Sequence, residues 1–60
     1  MNNISVELTD AEALALAQMT KRMIIEWVRP FSASEGEAQQ MWSALVEVKR
    51  ALGRVGWAPR

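Results

Sequence analysis

The only side chains in this 60-residue chain that could move a proton or hold a charge are seven acids and seven bases, because it contains no His, no Cys and no Tyr. General-base and nucleophilic catalysis usually recruit His or Cys, or carboxylates that converge in a pocket. Without His or Cys, a zinc site of the usual kind has no ligands. Five of the seven carboxylates, Glu7, Asp10, Glu12, Glu35 and Glu37, fall at or just before two helix-start signatures, Thr9-x-x-Glu12 and Ser34-x-x-Glu37. Capping and the positive end of the helix dipole already account for a negative charge there. The expectation is a protein with no catalytic residues, no cofactor and no metal.

The same two signatures fix the elements that must position these groups. One domain spanning 1–60 is expected, mainly α, as an antiparallel two-helix hairpin with an N-terminal extended or β arm. Ile4, Val6 and Leu8 alternate with Ser5 and Glu7, the period of a half-buried extended segment. The arm over 2–8 either lies along the helices or pairs with the same segment of a second copy, since a lone strand edge is a template. Helix one is expected over 10–28: its Ala/Leu-rich run meets no Gly or Pro before Pro30, whose ring excludes helical geometry at Arg29. Pro30 to Ala33 reads as a short turn. Helix two is expected over 35–55, with Met41, Leu45, Val48, Leu52 and Val55 as its core face. Gly56 supplies a left-handed residue past its end, and Trp57 is placed to pack back on Leu52. A loop this short makes the helices antiparallel neighbours, which sets Asp10 and Glu12 near Lys49 and Arg54.

Helix one carries more apolar surface than one facing helix can cover. Leu14, Ala17, Ile24, Ile25 and Val28 make one stripe, and Leu16, Met23 and Trp27 make a second beside it. Met19, Met23, Trp27 and Trp42 are the candidates for the excess, and Met and Trp are enriched at contact surfaces. The alternative is a satellite core closed by the arm. Glu26, Glu35 and Glu37, where the hairpin turns, form a candidate acidic tip, and Glu7, Asp10 and Glu12 form a second group at the other end. Either could occupy a basic groove on a partner as a nucleic-acid strand would; the alternative is solvated capping groups, with the tip partly neutralised by Arg29. Lys49, Arg50, Arg54 and Arg60 make the last turns basic, a pattern that dipole complementation and pairing with helix one explain.

The formal net charge is zero, which removes the general attraction to phosphate that small nucleic-acid binders use and makes DNA or RNA a disfavoured direct partner. No apolar stretch approaches the roughly 18 residues of a membrane span, and no leader pattern precedes the arm. A cytoplasmic protein is expected.

Leu8-Thr9-Asp10-Ala11-Glu12-Ala13-Leu14-Ala15-Leu16-Ala17-Gln18, then Lys21-Arg22, and finally Ala51-Leu52 with Val55-Gly56-Trp57-Ala58-Pro59-Arg60, resemble a family of very small phage and prophage proteins of mostly unassigned function. The segment Met23 to Phe31 departs from that pattern. In size and character the chain also resembles anti-CRISPR inhibitors. That likeness implies steric occlusion of a host nucleoprotein, a type I CRISPR surveillance complex above all, by a phage-encoded protein inhibitor. Two other expectations stand beside it: a homodimeric structural or regulatory phage protein, and a small DNA-binding repressor using the basic end of helix two.

Overall fold

The computed structural model describes residues 1–57; Ala58-Pro59-Arg60, which carry the end of the resemblance and the last basic side chain, lie outside the described residues. Local chemistry sets where the helices begin. Thr9 Oγ1 accepts the Glu12 amide at 3.1 Å, and Glu12 Oε1 accepts the Thr9 amide at 2.9 Å. Two amides that a helix start leaves without partners are thereby satisfied, and α1 runs Asp10–Arg22. At the second signature Ser34 Oγ accepts the Glu37 amide at 3.1 Å, but the Glu37 carboxylate accepts the Ala33 amide at 3.0 Å and not that of Ser34. The reciprocal arm of the box has moved one residue upstream.

The first rod is not continuous, which corrects the helix expected over 10–28. Met23 and Ile24 are extended, with ψ of 145° and 158°; α2 covers only Ile25–Val28, and a 3-10 turn follows over Arg29–Phe31. No Gly or Pro marks this break. The buried Thr20 hydroxyl donates to the Ala17 carbonyl at 3.0 Å, and such back-bonding weakens and bends a helix. The β-branched pair Ile24-Ile25 adds a loss of χ1 freedom in helical geometry. Packing then decides, because after the break Val28 is buried where α2 meets the last helix. Arg29 is itself helical, with φ −52° and ψ −41°, so Pro30 does not exclude helix at the residue before it. Pro30 sits at the start of the 3-10 turn, where no amide donor is required.

The third helix, α3, runs Glu35–Arg54 and packs against α1, α2 and the 3-10 turn. Its end follows the expected stop. Trp57 N–H donates to the Leu52 carbonyl at 2.9 Å and Gly56 N–H to that of Gly53 at 3.1 Å, with Gly56 at φ 92°, a left-handed value that suits glycine. Trp57 packs onto the cluster of Ala13, Ala17 and Leu52, as its spacing predicts. The fold is therefore mainly α with three helices, in place of two rods in a hairpin. Residues 1–9 are in neither helix nor strand, and there is no strand among the described residues. No helix of the described residues is long and apolar enough to cross a membrane.

The interior is thin. Ala13, Ala17, Val28, Ala38 and Leu52 are the buried apolar residues, Thr20 is the buried polar one, and no large side chain is fully enclosed. The face α1 buries is Ala13, Ala17 and Thr20, rotated from the expected stripe, so Leu14 and Ile24 are exposed. The break explains the rotation: residues beyond Ile24 no longer share a wheel with those before Met23. On α3, Leu52 is buried and Met41 and Leu45 are half-buried, but Val48 and Val55 stand exposed. The C-terminal half of the expected core face thus lies open. Because Leu52 is the largest buried side chain, Leu52→Ala should cost about 2–4 kcal/mol. A urea melt followed by circular dichroism should show a midpoint shifted sharply down with an unchanged slope; a shift no larger than that of an exposed Leu14→Ala control would contradict this account of the core.

Candidate interaction surface

The charged groups are mostly occupied by local structure. Arg29, at the junction of α2 and the 3-10 turn, makes a two-pronged contact with Glu35, Nε to Oε2 and Nη2 to Oε1, both at 3.1 Å, and reaches Glu26 Oε1 at 3.4 Å. Gln39 Nε2 donates to Glu35 Oε1 at 3.1 Å. These hydrogen bonds hold the Glu35 carboxyl below its ordinary value, first through Arg29 and then through Gln39, while Glu35 raises Arg29. The acidic tip is therefore real as a location: Glu26 and Glu35 are brought together, but across a shared guanidinium, and Glu37 is engaged at Ala33.

At the other end Glu12 is bound to Thr9, whose backbone and side chain lower the Glu12 carboxyl, and Asp10 is exposed in the first turn of α1. No ion pair among the described residues joins Asp10 or Glu12 to Lys49 or Arg54; Arg50 pairs with Glu47 one turn back at 2.6 Å. Exposed pairs of this kind contribute little, so nothing compels the expected cross-helix partners to meet. Among the described residues no three acids converge as metal ligands would.

The apolar candidates separate into different places. Met23 and Trp42 meet in a shallow depression of about 140 Å³, which Thr20, Leu45 and Lys49 also line. Met19 is exposed on α1. Trp27 is 55% exposed on α2 and stands one turn from Phe31, 78% exposed, while Ile24 at the break is 46% exposed. Residues four apart on a helical segment share a side, so Trp27 and Phe31 stand together on the segment whose Arg29 contacts Glu35 of α3, and Ile24 is exposed at the extended residue just before it. Sequence reasoning found Trp27 but not its two companions. The available signal was Phe31, the single Phe of the chain, stranded after Pro30 in a connector where no stripe could absorb it.

A second apolar region was also missed. A groove of about 610 Å³ runs between the arm and the helices, lined by Ile4, Val6 and Leu8 on one side and by Leu16, Val48, Leu52, Val55 and Trp57 on the other. It uses three of the five residues expected to form the core face of helix two, Val48, Leu52 and Val55.

The described residues thus make a small helical unit with a thin interior and two open apolar regions. The chain is a member of a family of unknown function, DUF7706, whose model matches residues 1–60. No curated protein and no solved structure matches it.

The Arg29 clamp gives the surface a pH response of known sign. Glu35 has a folded-state pKa below its unfolded value, so its contribution is fully present above the ordinary carboxylate range, near pH 4.3, and is lost as pH falls through the lowered folded value. Carboxyl titration by NMR should show Glu35 titrating below the ordinary glutamate range. In Arg29→Gln it should move back up toward the ordinary range, with Glu12 unchanged; a Glu35 curve indifferent to Arg29→Gln would remove the clamp from solution.

Proposed function

We propose that this protein acts by contact alone, as a small helical module whose Ile24, Trp27 and Phe31 patch docks on another protein. The observation that carries the reading is a Trp and a Phe standing in solvent on a segment that a forked Arg29–Glu35 contact fixes against α3. Exposed aromatics on a rigid segment lose little freedom when covered, and Trp is prominent among residues that dominate binding energies. With no His, Cys or Tyr in the sequence, surface is the chain's main resource.

Steric occlusion of a host nucleoprotein, a type I CRISPR surveillance complex in particular, is the specific form that the likeness to small phage inhibitors suggests. Within that form the geometry favours an apolar grip over imitation of a nucleic-acid strand. Arg29 takes up Glu26 and Glu35, and Glu37 is spent on Ala33, so the tip presents less free negative charge than its sequence implies.

The test is capture of a partner from bacterial lysate by tagged full-length chain, with mass spectrometry to name it and Trp27→Glu as the comparison. Because Trp27 is more exposed than buried, the variant should keep the wild-type helical circular dichroism. It should weaken binding to the captured partner by about 2 kcal/mol, roughly 30-fold. Binding that is unaffected by Trp27→Glu, or a variant that loses its helices, would count against this patch as the docking surface.

A further inference from the structure

We propose that residues 4–8 pair, antiparallel, with the same residues of a second copy of this chain, in the register that sets Val6 against its own counterpart, and that the paired segments close the groove over α1 and α3. This goes beyond the docking of a foreign protein at Trp27 and uses a different surface.

The size of the exposed surface points to a second copy. A folded monomer of 6.7 kDa has an accessible area of about 3,900 Å², whereas this chain exposes 4978 Å². The difference, roughly 1,000 Å², is close to the roughly 800 Å² that each partner contributes to a stable interface. The radius of gyration agrees, at 12.3 Å against about 10.4 Å for a close-packed chain of this length.

The N-terminal segment contributes to that excess. Ile4 is 84% exposed and Val6 72% exposed, and both are β-branched types suited to a strand. No hydrogen bond among the described residues engages the backbone of residues 1–8, so this segment, in neither helix nor strand, has donors and acceptors available to a partner strand. Its apolar side chains already line the groove with Leu52 and Trp57. A partner strand of the same sequence satisfies the backbone and brings a second set of apolar side chains to the same face.

The residue order selects the register. Directly opposed residues of an antiparallel pair share a face. With Val6 at the centre, Ile4 opposes Leu8, Val6 opposes Val6, and Ser5 opposes Glu7, so every apolar residue meets an apolar one and no like charges face each other. Centring on Glu7 would set two carboxylates opposite one another, which is destabilising. Centring on Ser5 would set Leu8 against Asn2.

Sedimentation of the full chain, which has no cysteine of its own, should give twice 6.7 kDa. Val6→Pro removes a ladder donor outside all three helices; it should leave the helical circular dichroism intact and weaken dimerisation at least tenfold. Trp27→Glu should leave the dimer mass unchanged. Val6→Cys places two thiols about 5 Å apart by their Cβ atoms, so mild oxidation should yield a covalent dimer, while Asn3→Cys, whose copies lie far apart in this register, should not. A single-copy mass at every concentration overturns the proposal. So does a dimer that survives Val6→Pro, dissociates with Trp27→Glu, or cross-links as readily through Asn3→Cys.

Discussion

The shape of this molecule depends on how little its helices can hide between them. Ala13 and Ala17 on α1 face Leu52 on α3, and Ala38 is the other buried apolar residue of α3. Alanine contacts let backbones approach closely, but each buries little apolar area, and hydrophobic stabilisation scales with area removed from water. Ordering the backbone costs the same whether the side chain is Ala or Leu. A chain of 60 residues in which no large side chain among the described residues is enclosed therefore sits close to the limit of what folds alone, and must take stability from local devices. The Thr9 and Ser34 caps and the Gly56 turn are such devices, and each satisfies backbone groups that would otherwise be orphaned.

The break at Met23 and Ile24 is the second consequence of the same constraint. A helix continued through it would have kept Ile24, Ile25 and Val28 on one face and placed Arg29 on that helix's own register. With the chain extended for two residues, Val28 becomes buried as α2 packs on α3, and Arg29 comes within hydrogen-bonding distance of Glu35 across the turn. Trp27 and Phe31 are left outside. One local rearrangement thus supplies a core residue, a forked ion pair and exposed aromatic side chains.

What the sequence made legible is what depends on neighbours three or four residues away. The Thr9 box, the Ser34 cap, and Trp57 folding back on Leu52 are written in side chains that reach backbone groups within one turn. The Arg29 neutralisation of Glu26, three residues away, was legible for the same reason, whereas its contact with Glu35, six residues on, followed from bringing the end of one helix beside the start of the next. The break was not, because Met23-Ile24-Ile25 contains no residue forbidden in a helix. The nearest signal was a Thr20 hydroxyl competing for a backbone carbonyl, which becomes visible only once the burial of Thr20 is known. The openness of Val48 and Val55 was not legible either: their spacing marks a face, and a face becomes core only when something covers it.

The two open apolar regions arise from different causes and lie at different ends of α3. The N-terminal segment has no backbone partner among the described residues, and its groove is floored by residues from Val48 to Val55. The aromatic patch is exposed because of the break, and its clamp meets α3 at Glu35. Thirteen residues of helix separate Glu35 from Val48, about 20 Å at 1.5 Å per residue. Over such a distance, with no shared contacts, changes at one site are felt little at the other. Occupation of the groove therefore leaves the patch open, and a second copy seated on the arm would present two such patches at once. A binder with two equivalent patches gains avidity toward a repetitive target without any new contact, provided its geometry lets both engage.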